Sequence, residues 1–128
     1  MLVTNKIITV GPIEKRYAIY MHARQHGVWI EEITGLIPII AKEELSKYCP
    51  LHHVQADYPP TLLLHGTNDE DVPYDQAVMM LDALQKNGVE SKLITIPEGK
   101  HQFDEDWQSP IVQNAFEEVI TFLKNNLI

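Results

Sequence analysis

The 128-residue sequence predicts an α/β fold, and three observations in its second half carry that prediction. First, the apolar run TLLLH at 61–65 follows Pro59-Pro60 and closes at Gly66, as does a strand buried on both faces of a parallel sheet. Second, another β-rich run, SKLITIP, occupies 91–97. Third, stretches with apolar residues at helical spacing lie between and after the two runs. An order of strand, helix, strand, helix implies parallel strands joined by right-handed crossovers.

Each element has its own signals. Residues 6–10, KIITV, are rich in β-branched side chains and stop at Gly11-Pro12, which reads as a short buried strand. YAIYMHARQHG at 17–27 suits a helix stopped by Gly27, whereas GLIPII at 35–40 contains a proline that argues against a continuous element. AKEELSKYC at 41–49 reads as a short helix closed by Pro50. From Asp75 to Asn87, Val78, Leu81 and Leu84 recur at helical spacing; Asp75 suits the N-terminal turn, and Lys86 with Gly88 suits the C-terminal end. Ser109-Pro110 has the order of an N-cap and first helical residue. It opens an amphipathic helix through Val112, Phe116, Val119, Leu123 and Leu127. The expectation is about three parallel strands with flanking helices in a single domain, 1–128, since no repeat or linker divides the chain.

Composition narrows the function. With 45% hydrophobic and 22% charged residues the chain has the balance of a folded globular domain. Ten basic against eighteen acidic residues give a net charge of -8, which repels phosphates, so nucleic acid is not an expected partner. The N-terminal apolar run is interrupted by Thr4, Asn5 and Lys6, too short and polar for a signal-peptide core or a membrane span, and a cytoplasmic location is expected. The lone Cys49 cannot form an internal disulfide and is expected to be a small buried side chain.

In an open parallel sheet, ligands gather outside the carboxyl ends of the strands. Asp69 follows the first run there and His101 the second. If the strands are neighbours, about 4.8 Å apart, the two side chains can meet. A carboxylate beside an imidazole fixes the ring's tautomer and stabilises the imidazolium that forms when histidine takes a proton. Each residue also has a plainer reading: an aspartate in a turn caps nearby backbone amides, and a lone histidine is usually structural.

The residues around both positions are more specific. YPPTLLLHGTNDEDVPYDQAVMMLDALQKNGVESKLITIPEGKHQF, within a likeness spanning 58–125, resembles the C-terminal part of an α/β-hydrolase of the esterase, lipase and prolyl-oligopeptidase-like branch. His65, Gly66, Asp69, Val72 and Pro73 match that family's H-G-x-x-D-x-x-V-P loop, which selects Asp69 over Asp71; Gly99, His101 and Phe103 match its G-x-H-x-F loop. RQHGVWIEEITG and KYCPLHHV are similar to the family's cap-like segment, and KIITVGP to the strand after its nucleophile helix. The resemblance thus implies a partial α/β-hydrolase fold. Residues 1–57 would be a strand plus an irregular cap-like helical segment, and 58–128 the acid- and base-bearing segment. It further implies that Asp69 is the acid and His101 the general base of a Ser-His-Asp triad acting on acyl esters.

The family's nucleophile is absent from these residues. Its serine sits on a G-x-S-x-G elbow, whereas Ser46, Ser91 and Ser109 lie in EELSKYC, GVESKLI and DWQSPIV, and Cys49 precedes proline without elbow glycines. The chain is therefore expected to be a truncated carboxylic ester hydrolase, nearly inert alone: either an upstream nucleophile-bearing polypeptide complements it for a small acyl-ester substrate, or it is the remnant of a split gene. The alternative is a non-catalytic interaction or binding module, a homo-oligomer whose partner copy covers exposed strand edges.

No cofactor or metal is expected. His22 and His26 have the i, i+4 spacing of a zinc helix, but Ala23 stands where the catalytic glutamate belongs. The adjacent His52-His53 would point opposite ways in an extended segment. NDEDVPYD lacks the central glycine and terminal glutamate of a calcium loop. Trp29 and Trp107 read as core, Met79-Met80 as part of a helix that needs no cofactor, and no glycine-rich phosphate loop occurs.

Overall fold

A computed structural model describes residues 13–127. The chain divides into two compact units, Met1–Cys49 and Pro50–Ile128.

In the first unit, α1 (Ile13–His26) is followed by α2 (Trp29–Thr34) and α3 (Lys42–Ser46). Gly27 stops α1 as its position in the sequence suggests, and the Val28 amide turns back to donate to the Ala23 carbonyl at 3.0 Å. Tyr20 meets Trp29 edge to face at 5.4 Å, which joins α1 to α2, and Ala23 is buried. The short helix α2 ends on Gly35, whose amide donates to Glu31 at 2.8 Å. Around Pro38 the chain makes turns and leaves Ile39 and Ile40 exposed. Cys49, expected to be buried, is half-buried.

The second unit opens with a 3-10 turn, Pro50–His53. His52 and His53 are therefore not extended, a correction explained by proline's fixed φ, which suits the first position of a helical turn. The strands β1 (Thr61–Gly66) and β2 (Ser91–Ile96) pair in parallel, in register from Thr61 opposite Ser91 to Gly66 opposite Ile96. The third expected strand, residues 6–10, lies outside the described residues. Helix α4 (Asp75–Lys86) makes the crossover and α5 (Pro110–Leu127) follows β2; both helices contact both strands. Gly88, at φ 72°, lets the chain reverse after α4 so that the Val89 amide reaches the Leu84 carbonyl at 3.0 Å.

Ala77 and Leu84 of α4, Val89, Ile96 of β2, and Val112 and Ala115 of α5 are the buried apolar residues of this unit. Leu84 is fully enclosed, and truncating it to alanine costs about 3 kcal/mol. The buried face of α4 thus includes Ala77, while Val78, one of the apolar residues recurring at helical spacing, is exposed. Alanine is a weak signal in an apolar pattern, yet its small side chain permits close approach. Likewise Leu123 and Leu127 are exposed while Phe122 and Asn126 are half-buried, so the packed stripe drifts around α5. Leu62, Leu63 and Leu64 are half-buried rather than buried on both faces, because β1 has one neighbouring strand among the described residues. Trp29 and Trp107 are also exposed; Trp107 rests one edge on Phe116 at 4.9 Å.

Candidate active site at the carboxyl edge of the sheet

Because β1 and β2 end in register, their following loops leave the sheet at the same level. Three hydrogen bonds then tie loop to loop. The Thr67 amide donates to the Ile96 carbonyl (3.1 Å), the Asn68 amide to the Gly99 carbonyl (2.9 Å), and the Glu98 amide to Thr67 Oγ1 (2.8 Å). Gly66 makes this approach possible, since a Cβ there would overlap the Gly99 carbonyl. Glu98 stands at φ 58°, an unusual conformation for a residue with a side chain, with its amide bound across the latch.

The latch brings Asp69 and His101 together: His101 Nδ1 donates to Asp69 Oδ2 at 2.9 Å. Asp69 Oδ1 faces the other way and accepts the amides of Asp71 and Val72, both at 2.8 Å. The two readings of the aspartate hold together, one oxygen capping its own turn and the other meeting the imidazole. The Asp69 side chain is 6% exposed and that of His101 51%. Burial pushes the Asp69 carboxyl up, but the Val72 amide, His101 and the Asp71 amide outweigh it and hold the group at about 2. Asp69 is therefore a carboxylate throughout the neutral range. His101 borders an open cavity of about 330 Å³, also lined by Asn68, Asp71, Lys100 and Glu105.

One residue of the cluster was read from sequence only as part of a motif. His65 Nε2 lies 3.2 Å from Asp69 Oδ2 and 2.9 Å from the Val72 carbonyl oxygen. Nothing in its spacing marks it as a neighbour of the acid: it sits inside the strand, and only the backbone turn of 66–72 folds Asp69 back over it.

Among the described residues, Asp69, Asp71 and His101 hold potential metal-ligand atoms within 4.8 Å of one another. Both Asp69 oxygens already accept N–H donors, so a cation there competes with the Asp69–His101 bond. On α1, His22 and His26 stack at 4.2 Å, and the Nδ1 of His26 donates to the His22 carbonyl at 2.8 Å, which turns that nitrogen inward. None of the serines stands on a strand-to-helix elbow: Ser46 ends α3, Ser91 begins β2 and Ser109 precedes α5.

Comparison with known proteins matches this arrangement to one family. The prolyl oligopeptidase family profile matches residues 17–127. A probable isoprenylcysteine alpha-carbonyl methylesterase of Arabidopsis thaliana is 35% identical over 91 residues, covering 62% of this chain and 19% of that protein. A non-reducing polyketide synthase of Penicillium brasilianum is 37% identical over 81 residues, covering 62% of this chain and 3% of the synthase. Among solved structures, a thermophilic esterase of Thermogutta terrifontis with bound propionate superposes with a TM-score of 0.58 at 27% identity, over 62% of this chain and 30% of the esterase. The chain therefore spans under a third of the length of each of these relatives. The profile match over most of its length, with the parallel sheet and the esterase likeness, shows that the chain belongs to the prolyl oligopeptidase family and carries part of the α/β-hydrolase fold.

Proposed function

We propose that this chain supplies the acid, Asp69, and the general base, His101, of a serine carboxylic-ester hydrolase whose nucleophile comes from residues outside these 128. The single observation that carries the reading is the 2.9 Å bond from His101 Nδ1 to the oxygen of Asp69 that is not used for capping. With Nδ1 protonated and bound to a carboxylate, Nε2 holds the basic lone pair. It takes the serine proton as the hydroxyl oxygen attacks the acyl carbon, and Asp69 stabilises the imidazolium that results. The same proton then passes to the departing alcohol as the carbon–oxygen bond breaks, and water repeats the cycle to free the acid. The esterase and methylesterase relatives support acyl esters as the substrate class.

The test is hydrolysis of an activated ester, together with labelling by a serine-directed fluorophosphonate. Both are measured on the chain alone and with the polypeptide encoded immediately upstream. The chain alone is expected to be unlabelled and nearly inactive; the mixture is expected to be labelled and active, with turnover lost in His101→Ala. Esterase-like turnover by the chain alone, or turnover of the mixture indifferent to His101→Ala, overturns the reading.

A second reading, a non-catalytic interaction module, draws on the edge of β1 away from β2, which has no strand partner among the described residues. Such an edge invites pairing with another chain. Here a second copy is the simplest occupant. Sedimentation showing a dimer, with no activity in any mixture, favours this reading over the first.

A further inference from the structure

We propose that His65 is a positioning residue for the acid, holding the Asp69 carboxylate at the angle that serves His101; this rests on the acid–base reading above and adds a member that it does not require. The tautomer follows from geometry. The Val72 carbonyl can only accept, so a ring nitrogen 2.9 Å away must carry the proton, and that nitrogen is Nε2. The same N–H lies 3.2 Å from Asp69 Oδ2. His65 thus commits its proton to the turn's backbone and sets the positive end of that N–H beside the oxygen that His101 uses.

The carboxylate thereby meets three hydrogen-bond donors and one further N–H close by. Two amides hold Oδ1, His101 binds Oδ2, and His65 Nε2 stands 3.2 Å from that same oxygen. Without His65, Oδ1 remains tethered, but rotation that moves Oδ2 away from His101 meets less resistance. The ring of His65 is itself braced. Tyr74 packs against it edge to face, with centroids 5.8 Å apart, and the Tyr74 hydroxyl pairs with Thr95 Oγ1 at 2.6 Å. Thr95 is the register partner of His65 across the sheet. Both strands therefore fix the ring, one by carrying it and the other through Tyr74, and a sheet-mounted donor is more rigid than one on a loop.

The test reads the His101 tautomer, which a merely structural role does not move. Long-range proton–nitrogen NMR correlations on the 128-residue chain give the ratio of Nδ1–H to Nε2–H forms at His101. In the unsubstituted chain the Nδ1–H form is expected to dominate. His65→Phe, which keeps a ring and removes the donor, is expected to lower the ratio by about threefold or more, the equivalent of one modest hydrogen bond. His65→Gln, whose amide can replace Nε2–H, is expected to keep it. An unchanged ratio in His65→Phe, or an equal loss in His65→Gln, overturns the proposal. Should His65→Phe not fold, the His65 tautomer in the unsubstituted chain decides: a proton on Nε2 supports the proposal, and one on Nδ1 overturns it. Asp69→Asn separates the two levels. If it leaves the His101 ratio unchanged, the acid–base pairing itself fails, whereas a normal response there with none in His65→Phe removes only the role of His65.

Discussion

The two loops that meet at the sheet edge are built differently. The acid loop is closed and pinned: its aspartate is almost fully buried, caps its own turn, and is wedged between two imidazoles. The base loop is tethered by backbone at its root, through Glu98 and Gly99, and beyond that root the half-exposed His101 is held through its side chain by Asp69. The difference separates stability from chemistry. Removing Asp69 is expected to damage the turn as well as the pairing, while removing His101 takes away a side chain that the fold hardly needs.

The largest expected effect attacks what both loops share. Gly66→Ala forces a methyl group into the Gly99 carbonyl, and backbone there cannot yield as a flexible side chain does. A loss of about 3 kcal/mol is expected in urea unfolding, with the Asp69–His101 bond lost from NMR spectra even where the chain stays folded. Next comes the acid. Asp69→Ala leaves the Asp71 and Val72 amides without their acceptor, an expected cost of about 2 kcal/mol by the same measurement.

The pH dependence sharpens the same contrast. The folded-state value of Asp69, about 2, lies below its ordinary 3.8. Its contribution is therefore fully present above the ordinary value and is lost as pH falls through that value toward the folded one. The stability gap between the unsubstituted chain and Asp69→Asn should be constant near neutrality and close on acidification through that window. A gap that widens on acidification contradicts the assignment. Thr67→Val removes the acceptor of the Glu98 amide and is expected to cost about 1 kcal/mol. His101→Ala comes last, expected within about 0.5 kcal/mol of the unsubstituted chain because the residue is half exposed, although under the proposed function it is the substitution expected to abolish turnover. A larger loss from His101→Ala than from Asp69→Ala would falsify the contrast between the loops.

Local patterns in the second half were legible because they depend on near neighbours. Pro59-Pro60 and Gly66 bracket β1, Gly88 stops α4, and Pro110 opens α5, each by a backbone restriction that acts within a few residues. The pairing of Asp69 with His101 was legible for a different reason: parallel strands send their following loops to one edge, and the residues around both positions matched a known constellation. Much else was not. Ala77 and Ala115 are buried while Val78, Leu123 and Leu127 are exposed, because burial is decided by which surface faces a neighbour and not by how apolar a side chain is. The helix α2 escaped notice because its six residues hold no full repeat of an apolar stripe.

By itself, then, the sequence determined the strand–helix–strand–helix order of the second half, which follows from short-range restrictions, and singled out Asp69 and His101 through the family motifs around them. Only the tertiary structure decided that one carboxylate oxygen caps a turn while the other binds an imidazole, and that His65 reaches the same atom from the strand below. Those contacts depend on the register of β1 with β2 and on the close approach of Gly66 to Gly99, which relate residues about thirty positions apart along the chain, beyond the reach of any local periodicity.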